Sequence, residues 1–138
     1  MDNKKEMVTI EDILRRKEYF AKKSEETKQL YIPSLDGNIE ISKPDRMLCL
    51  DAIEMEDAVE GDKYFVYEIV KSPNLKSEKL HAEFGCKDNP LDIVDVLKDN
   101  PLDIVDVLFE AGEITDIVKI ATKFAGFGVV EEIEDLKN

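Results

Sequence analysis

The chain has 138 residues, 43% of them apolar and 37% charged, which is the size and composition of one ordinary domain able to bury a core without disulfides. Its formal charge of −13 is uneven, with eight Lys/Arg against seven Asp/Glu in residues 1–28 and eleven against twenty-five in residues 29–138; so acidic a body repels nucleic acid, whose affinity comes from cations that displace condensed counterions. No apolar run approaches the roughly 18–20 residues that cross a bilayer, and the polar start from Met1 to Met7 is unlike a signal peptide, so a cytoplasmic protein without a membrane partner is expected.

Thr9, with Asp12 three residues on, predicts a helix start, and Ile10, Ile13, Leu14, Phe20 and Ala21 follow at helical spacing. An amphipathic helix over about 10–26 is expected, with its apolar face on the core or on a partner. Arg15, Arg16, Lys17, Lys22 and Lys23 read as its solvated side, with an anionic contact as the alternative. Next, Leu30-Tyr31-Ile32 and Ile39-Glu40-Ile41 bracket an Asp36-Gly37 turn signal. They predict a short β-hairpin at about residues 29–42. Two strands alone are marginal in water, so the hairpin must lie against helices or join a neighbour's sheet.

Pro44 suits a first helical turn, with Met47, Leu48, Leu50, Ile53 and Met55 recurring on one side to about Glu56. Asp57 to Asp62 reads as an acidic break. Tyr64 to Val70 has the composition of a strand but the length and flanks of a buried helix; helix is the choice, stopped by Ser72-Pro73, with another short helix from about Ser77.

Residues 87–97 and 98–108 are identical, Lys-Asp-Asn-Pro-Leu-Asp-Ile-Val-Asp-Val-Leu in tandem. In each copy Asn89 or Asn100 can cap and Pro90 or Pro101 can take the first helical position, so each reads as a short helix begun afresh. A continuous helix through Pro101 would cost about 3 kcal/mol. Two copies fall short of a solenoid. Gly112 is read as the boundary of the last helix, whose apolar stripe is Ile114, Ile117, Val118, Ala121, Phe124 and Ala125, closed by Gly126 and Gly128. The fold expected is mainly α, a small helical domain over residues 1–128 with its N-terminal hairpin, and an acidic tail over 129–138 that carries Val130, Ile133 and Leu136.

The residue inventory offers no nucleophile beside a base, no phosphate loop and no ligands at metal spacing, so no catalytic residue, cofactor or metal is assigned. His81, near Glu78, Glu83 and Cys86, reads as an exposed helical histidine rather than a metal ligand. Asp92, Asp95, Asp103 and Asp106 read as a solvated acidic face opposite Leu91, Val94 and Leu97, since the alternating ligands of a calcium loop are missing. Ser34, Ser42 and Ser72 have no histidine close in sequence. Cys49 and Cys86 read as reduced, buried thiols.

Taken in order, Leu30-Tyr31-Ile32-Pro33-Ser34-Leu35, then Pro73-Asn74-Leu75-Lys76 with Leu80 and Phe84-Gly85, then Ala111-Gly112-Glu113-Ile114 and Ala125-Gly126-Phe127 form a pattern that resembles the XkdN-like tail assembly chaperones of phages and phage-derived contractile particles. The likeness covers most of residues 9–128; the block 98–108 departs from the family pattern. The resemblance implies a non-enzymatic protein that coats the tape measure protein before tail tube subunits polymerise, and that is absent from the finished particle. The tape measure protein is thus the partner implied, the tail tube protein and a second copy of the chain are further candidates, and Ile114, Ile117, Val118, Ala121, Phe124 and Phe127 are the candidate covering surface, although a stripe of this kind is more often plain core. Two other readings fit the same residues: a structural tail or baseplate-associated subunit, and a small acidic regulator whose carboxylate rows copy phosphate spacing.

Overall fold

The computed structural model describes residues 6–85 and 100–133. The first repeat copy (87–97), Cys86 and Leu136 therefore lie outside the described residues.

The N-terminal arm begins with α1 (Ile10–Arg15). Asp12 N–H donates to Thr9 Oγ1 at 3.1 Å and Thr9 N–H to Asp12 Oδ2 at 2.9 Å, so two free donors at the helix start satisfy each other's residue, as the sequence predicts. The single helix expected over 10–26 is instead interrupted at Arg16, resumes as α2 (Lys17–Lys22) and ends in a 3-10 turn (Lys23–Glu25). None of these three pieces buries a residue.

Strands β1 (Thr27–Ile32) and β2 (Gly37–Ser42) pair antiparallel from Thr27↔Ser42 to Ile32↔Gly37. Asp36 takes the left-handed conformation that closes the connection and accepts from the Tyr31 hydroxyl at 2.9 Å. The hairpin therefore forms, with Ile32, Ile39 and Ile41 in the core, but it is not alone. A third strand, β3 (Val70–Ser72), pairs antiparallel with β2 and gives the order β1-β2-β3. The helix read over 64–70 ends one residue early, at Ile69, and its next residue is already strand.

Helix α3 (Arg46–Glu54) starts at Asp45, whose carboxylate accepts from Leu48 N–H; Pro44 sits before the cap rather than inside the first turn. Helix α4 (Ala58–Ile69) is capped by Asp57. The acidic stretch read as a break thus starts a helix, where Asp57 and Glu60 meet the positive end of its dipole. Helix α4 is the spine of the domain, packed against α3, β3, α6 (Asp103–Leu108) and α7 (Ala111–Phe124). It meets α3 so closely that a Cβ on Gly61 would stand 2.5 Å from the Ala52 carbonyl oxygen.

Helix α5 (Glu78–Gly85) follows Ser77, whose hydroxyl accepts from Leu80 N–H. In the second repeat copy Asn100 Oδ1 accepts from Leu102 N–H, and α6 then buries Ile104 and Val105. Helix α7 begins at Glu110, ahead of Gly112, which lies inside its first turn. It ends where Gly126 N–H donates to Lys123 O and Phe127 N–H to Thr122 O, a closure that needs the positive φ of Gly126. Helices thus dominate, joined to a three-stranded sheet where a lone hairpin was expected.

A candidate apolar groove

Three elements border an open apolar groove of about 370 Å³. Helix α3 and the turn after it contribute Cys49, Ala52, Ile53 and Met55; α4 contributes Ala58, Asp62 and Phe65; the end of α7 contributes Val118, Thr122 and Phe127. Its floor is made of small and buried groups, Cys49 and Phe65, while Ile53 (71% exposed) and Phe127 (51% exposed) stand at its edges. A shallower extension runs past Pro44, Asp45 and Gly126. Phe127 takes this position because the left-handed Gly126 turns the chain back over the end of α7.

The apolar residues of α3 point differently from the expected stripe. Cys49 is buried and Leu48 and Ala52 pack against the core, whereas Met47, Leu50 and Ile53 are exposed, Ile53 at the groove and Met47 at a separate depression with Asp51, Tyr64 and Glu68. Cys49 is buried as expected, and the small Ala52, three residues on, was the missed signal: together they mark the side on which α4 approaches closely. One carboxylate, that of Asp62, lines the groove.

The covering surface expected on α7 requires correction. Ile114, Ile117 and Ala121 are core residues, packed where α7 meets α4 and closed to any partner. Val118 is half-buried and, with Phe127, reaches the groove; Phe124 is half-buried elsewhere, with the Lys28 and Lys43 ammonium groups 5.0 and 5.8 Å from its ring centre. A stripe of this width fills a core, and only its edge and the residue beyond the helix remain open. On the arm the opposite holds, since Ile10, Ile13, Leu14, Tyr19 and Phe20 are all exposed.

The carboxylates of the second repeat copy also differ from the solvated face expected of them. Lys63, 5% exposed, places its ammonium 2.6 Å from Asp103, 2.7 Å from Glu60 and 3.1 Å from Asp106. Burial disfavours its charge, but the hydrogen bonds it donates to Asp103, Glu60 and Asp106 outweigh this and push its pKa well above the usual lysine range. An ammonium so held stays protonated at neutral pH, and so lacks the free amine that base or nucleophile chemistry requires. Asp92 and Asp95 of the first copy lie outside the described residues.

His81, Ser34, Ser42 and Cys49 are also tied into structure. His81 is half-buried rather than exposed, its Nε2 2.6 Å from the Leu75 carbonyl oxygen and its ring edge-on to Tyr67. Ser34 donates its N–H to Glu113 Oε2 at 2.9 Å, and its Oγ lies 2.6 Å from Glu113 Oε1; Ser42 Oγ bonds the Ile69 carbonyl. Burial, then the nearby Asp45 carboxylate, push the Cys49 thiol up, away from the thiolate form. Among the described residues no cluster of three or more His, Cys, Asp or Glu is placed to hold a metal ion, and no helix is long and apolar enough to cross a membrane. No protein family, curated protein or solved structure matches the chain.

Proposed function

We propose that the protein is a non-catalytic phage tail assembly chaperone, which binds the tape measure protein in the host cytoplasm, keeps it soluble while the tail tube assembles around it, and leaves before the particle is complete. The observation that carries this reading is the open groove between α3, α4 and the end of α7, with Ile53 and Phe127 exposed at its edges. A sticky helical client needs apolar cover on a soluble carrier, and a net charge of −13 keeps carrier molecules apart. The segments behind the family resemblance also fall at turns and caps: Leu30 to Leu35 runs from β1 into its turn, Leu75 is fully buried, and Glu113 caps α7.

Co-expression with the tape measure protein tests the proposal. A soluble complex is expected, and paired Ile53→Asp and Phe127→Asp substitutions in the groove should return the client to the insoluble fraction. An insoluble client despite abundant wild-type partner contradicts the reading. Retention of the protein in purified particles at fixed stoichiometry would instead make it a structural tail subunit.

A further inference from the structure

Every side chain that fastens α6 to the domain occurs twice in the chain, while the place it fits occurs once. Asn100 donates its side-chain amide to Glu60 at 3.1 Å, Asp103 and Asp106 hold Lys63 Nζ at 2.6 and 3.1 Å, and Ile104 and Val105 are fully buried. Asn89, Asp92, Ile93, Val94 and Asp95 repeat those five residues at the same spacing. On the receiving side, Lys63 is the one lysine of α4, so a single copy can be seated at a time. The contacts themselves give no preference between the copies. The choice falls on the chain that joins each copy to its neighbours.

We infer that either copy can seat as α6, so that the protein has two folded forms differing in where the spare copy lies. In the described form residues 86–99 join Gly85 of α5 to Asn100, and α6 runs directly into Phe109, which is buried and donates its N–H to Val105 O. With the first copy seated, residues 86–88 make the first join and 98–108 enter as a loop ahead of Phe109. Closure entropy varies only with the logarithm of loop length, so moving the spare length from one side to the other changes little by itself. The direct run into Phe109 favours the described form. In both forms the Lys63 ammonium is paired, by Asp92 and Asp95 in place of Asp103 and Asp106. Between them it is stripped of partners, a costly state for a buried charge that separates the forms by a barrier. The forms differ most at the start of α7. In the described one, Leu108 O accepts from Ser34 Oγ while Glu113 accepts from Ser34 and Glu110 N–H, which ties the end of α6, the hairpin turn and α7 together. A loop inserted ahead of Phe109 uncouples α6 from that junction. The inference is independent of the chaperone reading.

Urea denaturation of full-length variants, followed by circular dichroism, tests it. Aspartate at a buried isoleucine position places a charge in the core. Ile93→Asp should therefore leave the midpoint unchanged, and Ile104→Asp should still fold by seating the first copy. The double variant has no intact copy, and its folding constant should be lower than that of Ile104→Asp alone by about 100-fold or more, within the range for loss of a large core side chain. A second substitution shows which copy is held. Asp92→Asn should be silent in the parent and destabilising in the Ile104→Asp chain, where Lys63 then depends on Asp92. An Ile104→Asp chain that unfolds as completely as the double variant overturns the inference. So do losses from Ile93→Asp and Ile104→Asp that merely add, or an Asp92→Asn that remains silent in the Ile104→Asp chain.

Discussion

Lys63 Nζ lies 2.6 Å from Asp103 Oδ1, and that contact fastens the second repeat copy to the middle of α4. With Glu60 and Asp106 it makes a cage of three carboxylates around one buried ammonium. Replacing Lys63 by Met leaves those carboxylates to repel one another, and breaking a buried pair by removing one member costs about 3–5 kcal/mol. Because Asp106 is half-exposed and Glu60 a third exposed, water recovers part of this, and about 3 kcal/mol is the expected loss in urea denaturation at neutral pH. One pH trend follows. In the wild type the folded-state pKa of Lys63 is raised, so its stabilisation is full below the unfolded lysine value of about 10.4 and is lost as pH climbs beyond that.

Gly61→Ala sets two effects against each other. Alanine is favoured over glycine inside a helix by about 1 kcal/mol. At this site, however, the new Cβ would stand 2.5 Å from the backbone oxygen of Ala52. A backbone carbonyl has no rotamer by which to withdraw, so α3 must move away from α4, and overpacking of that kind costs about 1–3 kcal/mol. The expected outcome is net destabilisation, together with chemical-shift changes in Cys49 and Ala52, which line the groove. A stabilised variant would mean that the two helices separate freely.

Glu113 joins the hairpin turn to the start of α7, accepting from Ser34 and from the N–H of Glu110. Its carboxyl is held below the usual glutamate value, first by the Ser34 hydroxyl and then by the Glu110 and Ser34 backbone donors. A depressed folded-state pKa contributes stability above the unfolded value of about 4.3, lost as pH falls through the folded one. Ser34→Ala should therefore raise the Glu113 pKa toward the ordinary value in an NMR titration and weaken the acid-sensitive part of the stability. An unchanged titration would show that the backbone donors suffice.

What could be read from the sequence was local, and what could not was a matter of neighbours. The Thr9 and Asp12 cap, the Asp36-Gly37 reversal and the glycine closure of α7 each lie within a few residues, so spacing alone specified them. The third strand was hidden because Val70 to Ser72 is too short to carry a period and becomes a strand only through β2. On α3 the large apolar residues outvoted Ala52, although α4 approaches over that small residue beside the buried Cys49. The groove inherits that difficulty: it exists where three elements meet, and of the residues proposed on α7 and beyond it only Val118 and Phe127 reach it. The carboxylates of the repeat were read as solvated because their partner, Lys63, lies forty residues earlier, beyond the reach of helical spacing.

The tandem repeat permits a test in which the two copies cannot be told apart, since deleting residues 87–97 or 98–108 produces one and the same chain. The contacts that seat the second copy come from Asn100, Asp103, Ile104, Val105 and Asp106, through Glu60, Lys63 and the core. Each has an identical counterpart in the first copy. With eleven residues removed, Cys86 and one Lys-Asp pair would link Gly85 of α5 to the Asn that opens the turn before α6, within the usual range of helix connections. The single-copy chain should therefore keep the fold, with a urea midpoint equivalent to within about 1 kcal/mol of the parent, well below the 2–5 kcal/mol typical of losing a large core side chain. A loss in that larger range would assign the first copy a structural role of its own and make the repeat more than a spare occupant of the α6 position.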